Sequence, residues 1–127
     1  MPKLISVYVL LRGARFSICE IAQVDRRPVA KFIEGLEIQE KSKIVSLFRQ
    51  LAETGVIRNK TKFMHEEDGI YAFKTNMARV YCFFDSDKLV LLTNGAPKKQ
   101  RKADPNELAR AKRLREAYHE LRKGKKK

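Results

Sequence analysis

The order of patterns along the chain predicts an α+β fold: a small antiparallel or mixed β-sheet, two N-terminal helices packed on one face, and a C-terminal helix. Three observations predict it. Two apolar stripes at helical spacing follow one another before Gly55, three short β-rich runs joined by polar turns occupy residues 70–94, and a well-capped amphipathic segment closes the chain. Strand runs segregated from helical runs are the pattern of α+β domains. At 127 residues the chain is read as one domain, residues 1–122, followed by a basic tail, residues 123–127.

The elements follow in order. "LISVYVLL" (Leu4 to Leu11) and "FSICEIAQV" (Phe16 to Val24) are rich in β-formers, and the "RGA" between them allows a first hairpin. Asp25 is placed to cap a helix with Pro28 in its first turn. Val29, Phe32, Ile33 and Leu36 then recur at i, i+3, i+4 and i+7. Ile44, Leu47, Phe48 and Leu51 repeat the pattern up to Gly55, a suitable residue for ending a helix. After "VIRNKTKFMHEEDG", read as a loop with an exposed acidic cluster, come strands over Ile70–Thr75, Ala78–Phe84 and Lys88–Asn94. Gly95 and Pro97 are expected to break the last of these. In "DPNE", Asp104 takes the cap, Pro105 the first helical position and Glu107 the third, and Leu108, Ala111, Leu114 or Arg115, Tyr118 and Leu121 supply a thin apolar stripe.

Charge narrows the range of partners. Lys and Arg total 28 against 15 acids, a net of +13. The stretch from Pro97 to Lys127 alone carries 13 basic and 4 acidic residues, a net of +9. So uneven an excess favours a polyanion. Cys19 and Cys82 lie in apolar runs without CxxC spacing and read as buried thiols of a reducing compartment. The Leu4–Leu11 run is too short to cross a bilayer and lacks a cleavage pattern, so a cytoplasmic protein is expected. No nucleophile–histidine–carboxylate set, Gly-rich phosphate loop or metal-ligand spacing is visible. No cofactor and no metal is expected.

The hairpin "IYAFKTNMARVYCFF" (Ile70 to Phe84) carries the site. If Asn76-Met77 forms its turn, Lys74 lies opposite Arg79, and side chains paired this way share a face at about 5 Å, where like charges repel. Phe73, Val80, Cys82 and Phe84 then face the helices. Lys74, Arg79 and Tyr81 share the other face over Ala72, two cations beside a ring on which a base can stack. A slip of one residue would separate the cations, and Met77 is a poor residue for a type I′ turn. Lys98, Lys99, Arg101 and Lys102 approach from beyond the last strand, Lys60 and Lys62 from the loop before the hairpin. A lysine beside other cations can have its pKa depressed far enough to act as a base.

These residues, in the order "DRRPVAKFIEGL", "LFRQLAETG", "GIYAFKT", "ARVYCFFDSDKLVLLTNGAPKK" and "DPNELARAKRLREAY", resemble the RelE/HigB-type toxins of bacterial type II toxin–antitoxin modules, in particular their phage-derived RelE-like branch. The resemblance covers Phe16 to Leu121. It implies a RelE-like fold and a ribosome-dependent, metal-independent mRNA endoribonuclease in which the ribose 2′-OH attacks the adjacent phosphate. By the same resemblance Arg79 is a transition-state stabiliser, Lys74 the basic residue ending the preceding strand, and Lys98 or Lys99 the basic residue after the last. Lysine stands at 74 where the family commonly has arginine, and "NGAPKK" lacks an aromatic found there in relatives. Tyr81 or His65 is left to supply the acid or stacking group. Lys60, Lys62, Tyr81, Lys99, Arg101 and Lys102 are the expected RNA contacts. The implied partners are the ribosome, mRNA and a helix-turn-helix antitoxin forming a hetero-oligomer with the toxin. The alternative is a nucleic-acid-binding protein that uses the same basic face without catalysis.

Overall fold

The computed structural model describes residues 5–23, 26–99 and 102–125. Six strands form one mixed sheet in the order β1-β2-β6-β5-β4-β3: β1 Ile5–Arg12, β2 Ser17–Gln23, β3 Phe63–Glu67, β4 Ile70–Lys74, β5 Ala78–Asp85 and β6 Leu89–Pro97. Every neighbouring pair is antiparallel except β2 with β6. Helices α1 (Pro28–Glu34) and α2 (Ile38–Thr54) cover one face, and α3 (Pro105–Lys125) covers the other. The α+β expectation and its helix placement hold.

Strand alternation splits the apolar residues into two cores. Phe73, Val80, Cys82 and Leu92 pack under Ile44, Phe48 and Leu51 of α2, whereas Cys19, Ile21, Tyr81 and Phe83 pack under Leu108, Ala111, Leu114 and Tyr118 of α3. Both stripes read from the sequence are therefore core. Both cysteines are buried and free.

Three boundaries differ from expectation, each for a local reason. The segment read as an acidic loop contains β3, closed onto β4 by Asp68-Gly69, both at positive φ (51° and 77°) as a type I′ hairpin requires. β6 does not stop at Asn94. It runs through Gly95, where an added Cβ would lie 2.4 Å from the Phe32 ring of α1, so glycine there lets the helix close onto the strand. α3 continues to Lys125, into the segment read as tail.

Helix ends are settled by distant side chains. Asp25 falls outside the described residues, and Arg27 occupies the cap position of α1 without capping it. The fully buried Glu20 of β2 caps instead: its carboxylate accepts the N–H groups of Val29 and Ala30, each at 3.0 Å, and pairs with Arg27 at 3.2 Å. Asp104 caps α3 as expected, accepting the Asn106 N–H at 2.8 Å. Glu107 turns away from its own helix end and accepts from the buried Asn94 amide at 2.9 Å, fastening α3 to β6. Among the described residues no helix is long and apolar enough to cross a membrane.

Candidate nucleic-acid cleft

The expected register is the observed one. Lys74 pairs with Arg79, Phe73 with Val80 and Ala72 with Tyr81, so the two cations share the α3 face. The turn is not type I′, since neither Asn76 nor Met77 is at positive φ. Glu40 of α2 holds it from outside, accepting from the Thr75 hydroxyl and from the Met77 N–H at 3.0 Å. Thr75 closes the hairpin, donating its N–H to Ala78 at 2.9 Å and accepting the Ala78 N–H on its hydroxyl at 3.1 Å. These bonds keep Glu40 ionised below the usual carboxylate range, the Thr75 bond contributing most.

Where this turn meets the flank of α2 there is a cleft of about 830 Å³. Lys43, Lys62, Lys74 and Lys98 line it together with polar residues of α2, and among the described residues no carboxylate does. Four segments deliver these amines: α2, the loop before β3, β4 and the chain after β6. The Lys62 carbonyl accepts the Lys74 N–H at 2.8 Å, and Lys98, just past β6, donates its N–H to the Met77 carbonyl at 2.9 Å. Lys74 is 7% exposed, its ammonium 3.9 Å from the Met64 sulfur. Burial lowers its pKa; the charge of Glu66 opposes that, and the charges of Arg79 and Lys98 add to it. A buried amine that resists protonation, at the wall of an otherwise cationic cleft, can accept a proton and still leave the cleft positive.

The remaining expected residues divide. Arg79 is 3% exposed, directly behind Lys74, and donates to the Lys102 carbonyl at 3.0 Å. The sheet face read as open is covered there by the chain leading into α3. Tyr81 is 1% exposed and belongs to the core under α3, its hydroxyl engaged with Arg79 and the Asp104 backbone, so no base can stack on its ring. His65 pairs with Tyr71, which places it on the α1–α2 face, opposite to Lys74; its Nε2 accepts the Gly69 N–H at 3.1 Å. Lys60 lines a separate groove with Arg58 and His65. Lys98 rather than Lys99 lines the cleft; Lys99 and Lys102 are exposed on the approach to α3, and Arg101 lies outside the described residues.

Two participants escaped the sequence reading. Glu66 sits at a bulge in β3, with one carboxylate oxygen buried and lacking a hydrogen-bond partner among the described residues, near both Lys74 and Tyr81. The Asp68-Gly69 dipeptide was the signal for this strand, and period-two alternation from Met64 would then have put Glu66 on the Lys74 face. Lys43 lies outside the apolar stripe of α2; it joins the cleft because the turn, tied by Glu40, is drawn against that side.

Comparison with protein families matches residues 31–116 to the phage-derived Gp49-like proteins (DUF891). The chain belongs to this family, a RelE/toxin-like one of toxin–antitoxin systems. No curated protein matches it.

Proposed function

We propose that the protein is the toxin of a type II toxin–antitoxin module and acts as a ribosome-dependent, metal-independent mRNA endoribonuclease. The observation that carries this reading is the lysine-lined cleft, which Lys74 helps to line, together with a Lys74 pKa lowered by burial. Membership of the Gp49-like family supports it. In the reaction, the neutral Lys74 amine takes the proton of a ribose 2′-hydroxyl, whose oxygen attacks the adjacent phosphorus. The bond to the 5′-oxygen breaks, leaving a 2′,3′-cyclic phosphate, and the departing 5′-oxygen takes a proton from solvent water. Lys98 and Lys62 face the phosphate charge that grows during attack, and Arg79 adds positive potential from behind Lys74. Fixed charges aimed at developing negative charge, together with alignment of the RNA for in-line attack, are the main physical sources of rate in such a step. An antitoxin, the ribosome and mRNA are the partners this function requires.

Induction of the protein in bacteria tests it. The expected result is growth arrest with messages cut at ribosome-bound codons, and loss of both in Lys74→Met, a substitution that fills the same volume. Growth arrest with intact messages would favour the binding-only alternative, and a fully active Lys74→Met would remove Lys74 from the reaction.

A further inference from the structure

The second groove combines features the cleft lacks. It lies on the α1–α2 face, between the end of α2 and strands β3–β5, and encloses about 480 Å³. Its walls are aromatic. The rings of Phe63 and Tyr71 stack at 5.4 Å with 9° between planes, and Phe84 meets Tyr71 edge-on at 5.1 Å. His65 meets the same Tyr71 ring at 5.0 Å. All three wall residues are only partly buried. The rim is cationic: Arg58 and Lys60 are exposed, and among the described residues no carboxylate lines the groove. A gap left where α2 fails to cover the sheet would explain the apolar walls but not this one-sided charge.

We infer that this groove is a nucleobase subsite that takes one unstacked base of the single-stranded RNA lying in the lysine cleft. The inference rests on the RNA-directed reading above and extends it to a part of the chain with no role there. Continuity between the two sites is the decisive point. Lys62 lines the cleft and Lys60 the groove, and two residues span at most about 7 Å. The loop that carries both leads into β3, the edge strand, so one RNA strand can round the sheet edge with a phosphate at each lysine. Aromatic walls with a cationic rim are the combination that binds single-stranded nucleic acid: the rings stack on base faces and the cations hold the backbone. The groove would therefore hold a base flanking the cleaved bond and influence which messages are cut.

The test is binding of a fluorescein-labelled 2′-O-methyl hexanucleotide, which cannot be cleaved, measured by anisotropy at low salt. Tyr71→Leu, which keeps an apolar side chain in a partly buried position, should weaken binding about tenfold, the usual loss for one stacked base. Lys60→Ala, at an exposed site with no bearing on folding, should weaken it several-fold. An oligonucleotide with one abasic position should lose the same tenfold against the wild type and nothing further against Tyr71→Leu. That non-additivity assigns the missing base to this groove. Equal affinity of wild type and Tyr71→Leu for the intact oligonucleotide would overturn the inference, as would additive losses or no binding at all. Message cleavage in cells is scored separately: a groove that fails while cleavage persists leaves the nuclease standing, and a groove that holds while messages stay whole leaves an RNA-binding protein.

Discussion

At the scale of single residues, Lys74 is set by three neighbours of known sign. Burial, Arg79 and Lys98 favour the neutral amine, and Glu66 favours the ammonium. Cleavage that uses the neutral amine as base must rise as pH climbs through the Lys74 pKa. Glu66→Gln removes an influence that raises this pKa, so the rising limb of the pH–rate profile should move to lower pH. Rates of wild type and variant measured across the same pH series check this, and a limb that does not move would mean that another group titrates in the reaction. Tyr81 teaches the converse. Its place beside Arg79 in a strand predicted its direction correctly, yet not its exposure, because alternation says which side chains share a face and is silent on what covers that face.

At the scale of elements, α2 reaches beyond its own packing stripe to position the cleft. Glu40, 6% exposed, ties its first turn to the β4–β5 turn. Its folded pKa is lowered, so it contributes stability above the unfolded carboxylate value near 4.3, and that contribution is lost as pH falls through the folded value. Glu40→Gln should cost about 1–3 kcal/mol at pH 7. The gap between variant and wild type should start to narrow as pH falls below the unfolded carboxylate value and should close once pH passes below the lowered folded value, where both carry an uncharged group. Urea unfolding at several pH values measures both effects. Elements with a local signature were legible in the sequence: the i, i+3, i+4 stripes of α1 and α2, the Asp104-Pro105 start of α3, and the register that pairs Lys74 with Arg79. What was not legible depended on contacts distant in sequence. Glu20 as a cap, Glu40 as a turn clamp and Asn94 as a fastener all act across at least seven residues, and nothing in the spacing of polar residues announces such partners.

At the scale of the whole molecule, the charge excess has two uses. Part of it clamps α3 to the sheet: Lys112 pairs with Glu67, Arg115 with Asp68 at 3.0 Å and Arg122 with Asp87 at 3.8 Å. Among the described residues no ion pair engages Lys62 or Lys98 of the cleft, whereas Lys43 pairs with Glu40 at 3.6 Å. Affinity for single-stranded RNA should therefore fall with the logarithm of salt concentration with a slope of about −2, if Lys43, Lys62 and Lys98 each meet one phosphate while Lys74 stays neutral. Lys62→Ala and Lys98→Ala should each flatten that slope by about 0.7, and Lys112→Ala should leave it unchanged. Titrations at four ionic strengths separate the two groups. At the opposite rim β1 is outermost and, among the described residues, pairs with β2 alone, and Val7, Tyr8 and Val9 lie exposed on it. Such a rim invites another extended chain to zip onto it, and mutual repulsion between molecules of charge +13 opposes homotypic zipping. The brine that loosens RNA from this protein will also let its own copies come together.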